Sequence, residues 1–213
     1  MGVNPARTQS PRPLGANIFD DNRMTNNTKE NIVWKTFANK NHAKYSIIRF
    51  GNCDLIEFIN ETHNISIDNL TRYRTVSLST VSESFTRAKA EFKKTREFYF
   101  KIRPLNNLDK ISKLFGKSKF KLLNKNYIYI TNALISSDIF ISNSKIQDIL
   151  DKYQNLQIEL YNNINIWNED IREGITQLSI TIDEISKSEI ELNDLFILIK
   201  EFISSLHKHG MIR

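Results

Sequence analysis

The stretch that decides the fold is residues 156–210, LQIELYNNINIWNEDIREGITQLSITIDEISKSEIELNDLFILIKEFISSLHKHG. Its first half contains three β-rich runs, at 156–161, 164–168 and 175–182, and short polar turns separate them. Its second half predicts one helix, because Ser188 and Glu191 form a capping box and His207, Lys208 and Gly210 end the pattern. The apolar residues between these ends repeat at helical spacing: Leu192, Leu195, Ile199, Phe202 and Leu206. A meander of strands followed by an amphipathic helix predicts the α+β class.

The N-terminal part of the chain predicts one helix and further strands. A helix is expected at 29–41, with Thr28 as its N-cap and Trp34 and Phe37 on its buried side. Strands are expected at 45–50 and 54–60, joined by a tight turn at Gly51-Asn52. Residues 61–74 are polar and predict a loop, and the alternation in 75–80 predicts a strand with one buried face.

The middle of the chain continues this mixture. Strands are predicted at 89–94 and 98–103, the second ending at Pro104, and a helix at 107–115, stopped by Gly116. A strand over 119–131, interrupted near 124–126, precedes a helix at 145–153 capped by Ser144. Strands outnumber helices and most connections are short. We therefore predict a largely antiparallel sheet, with N-terminal, central and C-terminal helices packed on one face.

Residues 1–23 differ in composition from the rest of the chain. They contain three of the four prolines and two of the six glycines, which is typical of a segment that cannot bury enough apolar surface to fold. We expect a disordered extension over 1–23 and a single domain over 24–213. Because Met24 opens a sequence in the style of the body, residues 1–23 are also a candidate for a non-native addition.

The composition favours a cytoplasmic protein without a membrane span. Cys53 is the only cysteine, so an intramolecular disulfide and a cysteine-based zinc site are both excluded. The longest apolar run, at 195–199, is far shorter than the roughly 20 residues that cross a bilayer.

No motif predicts a catalytic residue, a metal or a cofactor. Gly116-Lys117-Ser118 resembles the end of a phosphate-binding loop, but Ile111 stands where that motif needs a glycine. His207 and His209 fit solvated residues at a helix end better than metal ligands. The chain is therefore expected to be a binding module more readily than an enzyme.

The strongest functional signal is the basic stretch at 87–125. It carries thirteen Lys or Arg against three acids, whereas residues 1–86 have a net charge of +2 and residues 126–213 of −6. The predicted binding residues are Lys93, Lys94, Arg96, Lys101, Arg103, Lys113, Lys117, Lys119, Lys121 and Lys125. Such a field attracts nucleic acid, an acidic lipid surface or an acidic protein, and it also fits pairing with the acidic C-terminal third.

The layout from Trp34 onward resembles a bacterial family of unknown function. The matching features are Trp34, Phe37 and Ala38 in an early helix, Gly51 in a hairpin, Pro104 at a strand end, Leu114-Phe115-Gly116 at a helix end, and residues 137–143. The resemblance implies an α+β module, in some relatives tethered to a membrane. It implies no activity and no site residues.

Three functional hypotheses follow from the sequence. The first is a non-catalytic module that binds a protein partner, and the second is nucleic-acid binding through residues 87–125, where Phe98, Tyr99, Phe100, Tyr127 and Tyr129 offer faces for stacking. The third is self-association through a sheet edge. The sequence predicts neither the partner nor the oligomeric state.

Overall fold

A computed structural model describes residues 24–48, 53–59, 63–76, 79–114, 120–132, 137–162 and 169–213. Within these ranges the strands are β1 (Lys44–Ile48), β2 (Cys53–Phe58), β3 (Asn64–Val76), β4 (Ser79–Phe92), β5 (Phe100–Pro104), β6 (Lys121–Leu122), β7 (Tyr127–Thr131), β8 (Leu156–Tyr161) and β9 (Thr176–Ile182). The helices are α1 (Met24–Lys40), α2 (Asn107–Leu114), α3 (Asp138–Ile141), α4 (Ser144–Lys152) and α5 (Glu189–Lys208).

The strands form one sheet in the order β1-β2-β3-β4-β9-β8-β5-β7-β6. Every strand pairing in it is antiparallel. The long hairpin of β3 and β4 is joined to the second half of the sheet through β9, which pairs with both β4 and β8. The α+β class and the antiparallel sheet predicted from the sequence are confirmed.

Helix α5 is the centre of the helical layer. It contacts α1, α3 and α4 on its sides, and strands β4 and β9 beneath it. Phe202 of α5 packs against Phe140 of α3, with ring centroids 4.7 Å apart, and Phe140 in turn packs on Phe100 of β5 at 5.1 Å. The fully buried Trp34 of α1 donates from Nε1 to the carbonyl oxygen of Ser186, just before α5, at 3.2 Å. Helix and sheet therefore share one core.

The largest error of the sequence prediction concerns residues 61–74. Most of this predicted loop belongs to β3, which runs from Asn64 to Val76. Two of its polar residues are buried against partners: Asn69 donates to the Asp54 carboxylate at 2.8 Å, and Asp68 accepts from Arg87. Buried polar residues give this strand the composition of a loop, so the local sequence does not indicate a strand here.

Several element boundaries also differ from the prediction. Residues 75–80 are not one strand, since Val76 ends β3 and pairs with Ser79 at the start of β4. Thr28 lies inside α1. The N-cap of α4 is Asn143 rather than Ser144, because its side chain accepts from the backbone N–H of Lys145 and Ile146 at 3.1 and 3.3 Å.

The interruption predicted near 124–126 is confirmed, because it separates β6 from β7. The predicted turn at Gly51-Asn52, the helix stop at Gly116, the strand at 164–168 and the extension 1–23 lie outside the described residues.

Candidate interaction surface

Part of the basic stretch is used inside the protein. The fully buried Arg87 bridges Asp68 and Glu169: its Nη2 lies 2.8 Å from Asp68 Oδ2 and 2.7 Å from Glu169 Oε1. Lys89 forms an ion pair with the same carboxylate, with its Nζ 2.9 Å from Asp68 Oδ2. Glu169 belongs to the acidic C-terminal third, so pairing within the chain accounts for some of the charge segregation.

Three of the ten predicted binding residues are also held by oxygen atoms within the chain. Lys94 donates to the carbonyl oxygen of Phe98 and to Asn162, and its side chain is only 6% exposed. Lys101 Nζ lies 2.7 Å from Glu159 Oε2. Arg103 forms an ion pair with Asp109 of α2.

The other predicted residues form two separate groups. Lys93 and Arg96 are exposed beside the last residues of the chain, where the Arg96 guanidinium contacts Met211 Sδ. Lys113, Lys121 and Lys125 are exposed on α2, on β6 and in the turn before β7. Lys117 and Lys119 lie outside the described residues. The structure therefore does not bring all ten residues together on one face.

Helix α2 is fixed to β5 by its acidic residue. Arg103 donates from Nη1 to Asp109 Oδ2 at 2.6 Å and from Nη2 to Asp109 Oδ1 at 2.8 Å. Asp109 and Asn106 also cap the helix reciprocally, since each side chain accepts from the other residue's backbone N–H at 3.0 and 2.8 Å. The hydrogen bond from Arg103 lowers the pKa of Asp109. These contacts set the direction in which α2 faces.

Because Asp109 is turned inward, two apolar residues of α2, Leu108 and Ile111, are turned outward. Leu108 is 73% exposed and Ile111 is 49% exposed, on neighbouring turns of the helix, and Leu122 of β6 is 40% exposed. We call the exposed residues on one side of these two segments the α2–β6 surface: Leu108, Lys110, Ile111 and Lys113 of α2, with Leu122 of β6 and Lys125 in the turn after it. None of its three lysines forms an ion pair with a carboxylate of the described residues.

A second basic site lies where α5 ends. A groove of about 800 Å³ runs between His63, at the start of β3, and the last turns of α5. Its lining includes Lys200, His207, Lys208 and Arg213. Burial and the charge of His207 lower the pKa of His63. Cations at the carboxyl end of a helix complement its partial negative charge, so this group has a structural explanation that the α2–β6 surface lacks.

The sequence analysis identified lysines of α2 as binding residues but did not predict that Leu108 and Ile111 face outward. The sequence does contain a signal for this direction: Asn106 and Asp109 form a capping pair, and Arg103 precedes them on the adjoining strand. An arginine able to reach an acidic residue in the first turn indicates that this side of the helix faces the protein.

Comparison with known proteins adds no relative. No protein-family model matches the chain, and no curated protein or solved structure matches it significantly. The resemblance to a bacterial family therefore stays a prediction. None of the described helices is long and apolar enough to cross a bilayer. In the same part of the chain, no three side chains of His, Cys, Asp or Glu are grouped so that they could hold a metal ion.

Proposed function

We propose that this protein is a non-catalytic interaction module that binds an acidic protein surface through its α2–β6 surface. The observation that carries the proposal is the exposure of Leu108 and Ile111 on a helix that Arg103 and Asp109 hold in a fixed direction. A cytoplasmic setting fits a chain whose single cysteine, Cys53, is buried and in which no intramolecular disulfide can form.

The composition of the surface supports a protein partner. Protein interfaces combine an apolar centre with a polar rim, and complementary charge at the rim accelerates association. The α2–β6 surface combines exposed aliphatic side chains with exposed lysines, so an acidic surface with an apolar patch is the complementary partner.

Nucleic acid is the second candidate, supported by the exposed lysines. Single-strand binders also need aromatic faces on which bases stack. Phe98, Phe100, Tyr127 and Tyr129 are buried in the core, and Tyr99 is half-buried. Aliphatic Leu108 and Ile111 offer no stacking surface, which favours a protein over a nucleic acid.

Site-specific photo-crosslinking tests the proposal. A benzophenone amino acid replaces Ile111 in the full chain, and the matched control carries it at Ile190, which is 71% exposed on α5. The expected result is a partner crosslinked from position 111 only. The crosslinked peptide of that partner should carry Asp or Glu beside apolar residues.

The purified partner then gives the decisive measurement. Ile111→Ser and Lys113→Glu should each weaken binding by roughly tenfold, a loss of about 1.4 kcal/mol, and Ile190→Ser should not. Equal binding by all variants would contradict the proposal. Binding of labelled DNA or RNA that is lost in Lys113→Glu and kept in Ile111→Ser would replace it with the nucleic-acid reading. Binding to phosphatidylserine vesicles lost in both variants would indicate a lipid surface instead.

A further inference from the structure

The face of the sheet opposite the helices carries polar residues in register. Strand alternation places Arg87, Thr181 and Gln157 side by side across β4, β9 and β8. Two residues further along, the neighbouring set is Lys89, Ser179 and Glu159, and Lys101 of β5 extends it. This face is therefore a continuous polar surface rather than a second core.

Hydrogen bonds hold the larger side chains of this face in place. Glu159 accepts from the hydroxyls of Tyr99 and Tyr161, at 2.7 and 2.9 Å, and from Lys101 at 2.7 Å. On the other side of β9, Arg87 is held between Asp68 and Glu169. The groups on both sides of the central strand are thus rigid before any ligand arrives.

A groove of about 520 Å³ follows β9, and Glu159 and Tyr161 of the first group belong to its lining. Its floor is low because Ser179 and Thr181 are small, whereas Gln157 and Tyr161 of β8 stand higher on one side. Arg72 and Glu83 of the β3–β4 hairpin form part of the other side. From Ser179 to Asp183 the groove is about 13 Å long, at roughly 3.3 Å for each residue of a strand.

Several polar groups in the groove have no partner of their own. Ser179 is 3% exposed and lines the groove, and its Oγ has no hydrogen-bond partner among the described residues. In the same part of the chain, the Gln157 amide and the Asp183 carboxylate take part in none of the side-chain hydrogen bonds. A buried hydroxyl without a partner costs about 1–3 kcal/mol, and a hydrogen bond to a ligand bound in the groove would offset that cost.

We infer that this groove binds a short neutral oligosaccharide, a di- or trisaccharide, along β9. Hydroxyl and amide side chains both donate and accept hydrogen bonds, and so do the hydroxyls of a sugar. Carboxylates accept from sugar hydroxyls, and Asp183 supplies one at the end of the groove. The length of the groove matches two or three sugar units laid end to end.

The other ligand classes fit less well. Peptides that bind sheets pair with an edge strand, but β9 is paired on both sides and offers no free backbone ladder. Phe85 is the one apolar side chain among the described lining residues, too little for side-chain pockets. An anionic ligand would be repelled, because the described lining residues include three carboxylates, Glu83, Glu159 and Asp183, and one cation, Arg72.

Ligand-observed saturation-transfer NMR on the full chain tests this inference. The probes are maltotriose, cellotriose, chitotriose, xylotriose and mannotriose, with spermidine as the cationic comparison. At least one trisaccharide should receive saturation and bind with a millimolar or lower Kd. Gln157→Leu and Asp183→Asn should weaken that binding by roughly tenfold, and Ser179→Ala should weaken it measurably. The matched controls Gln154→Leu and Asp148→Asn, both exposed and outside the groove, should leave it unchanged.

Three results would overturn the inference. The first is the absence of saturation transfer to every trisaccharide at millimolar concentration, and the second is binding that the groove variants do not alter. The third is binding of spermidine alone, lost in Asp183→Asn, which would assign the groove to an organic cation. Far-UV circular dichroism of each variant ensures that a loss of binding is not a loss of fold.

Discussion

Arg103 and Asp109 join the end of β5 to the first turn of α2 through two hydrogen bonds, 2.6 and 2.8 Å long. A planar guanidinium facing a carboxylate in this way fixes direction as well as distance. Because Asp109 also caps the helix with Asn106, one carboxylate both starts α2 and attaches it. The outward position of Leu108 and Ile111 follows from this single attachment.

Asp109→Asn should release α2 while the sheet stays folded. An asparagine keeps part of the helix cap, but it is uncharged and has only one side-chain oxygen, so it cannot accept both hydrogen bonds from the Arg103 guanidinium. The local free energy of opening should therefore fall by about 1–3 kcal/mol. Hydrogen exchange should become faster in residues 106–114 and stay unchanged in β8 and β9. Asp138→Asn, at the start of α3, is the control. Unchanged exchange in α2 would contradict the anchoring role of Asp109.

The lowered pKa of Asp109 also gives this junction a pH dependence. A carboxyl whose pKa is lower in the folded state stabilises the fold fully above its ordinary value, 3.8, and this stabilisation is lost as the pH falls through the lowered value. The first cause of the lowering is the hydrogen bond from Arg103, so Arg103→Gln should remove it. NMR titration of the Asp109 carboxyl in both proteins measures the shift. An equal pKa in the two would contradict this cause.

Arg87→Met should be the most destabilising charge removal in the sheet. It leaves Asp68, whose side chain is 3% exposed, without its two guanidinium hydrogen bonds. Breaking a buried pair from one side costs about 3–5 kcal/mol, and Lys89, which also contacts Asp68, should keep the loss near the lower figure. Urea unfolding measures it, with the exposed Lys93→Met as the control.

A double variant separates the buried charge from the packing around it. In Arg87→Met with Asp68→Leu no carboxylate is left uncompensated, so the loss in the free energy of unfolding should be smaller than the sum of the two single losses. An additive result would mean that Arg87 and Asp68 do not act as a pair.

Ser179→Ala should raise the free energy of unfolding of the ligand-free protein. The substitution removes a buried hydroxyl that has no partner among the described residues, and such a group costs about 1–3 kcal/mol. Thr181→Val, two residues further along the same strand and on the same face of the sheet, is the comparison variant. Differential scanning calorimetry should show a higher Tm for Ser179→Ala, and a lower Tm would mean that the hydroxyl already has a stabilising partner.

The sequence predicts the helix that organises the fold more reliably than the strands beneath it. The capping box at Ser188 is present, since its side chain accepts from the Glu191 backbone N–H at 3.2 Å, and all five apolar residues named for α5 are buried. Strand β3 escapes prediction because Asp68 and Asn69 are buried only through long-range partners. Those partners lie outside the local sequence from which the strand would have to be predicted.

The same reason limits what the basic stretch predicts. Thirteen cations in one stretch of sequence predict a basic patch. In the structure, however, Arg87 binds Glu169, which is 82 residues away in the sequence, and Lys101 binds Glu159, which is 58 residues away. Strand pairing decides which cations meet an acid. The lysines of α2 keep their exposure because the one acid of that helix, Asp109, is already held by Arg103.

The groove at the end of α5 should make stability depend on pH near neutrality. The charged and titratable groups that line it with His63 are Lys200, His207, Lys208 and Arg213, and the ring of Phe92 lies 6.4 Å from that of His63. Burial first, and the charge of His207 second, lower the pKa of His63 below the ordinary 6.5. The unfolded chain therefore binds this proton more readily than the folded one, and the free energy of unfolding should fall as the pH drops through 6.5 towards the lowered value.

His63→Gln should remove that pH dependence. Urea unfolding between about pH 7.5 and 5 should give a flatter curve for this variant than for the natural sequence, and the exposed His42→Gln should retain the original slope. His207→Gln removes the second cause only, so it should raise the pKa of His63 without restoring the ordinary value, because burial remains. Following the His63 ring protons by NMR distinguishes the two causes. A His63 pKa that does not change in His207→Gln would leave burial as the whole effect and exclude a coupling between the two imidazoles.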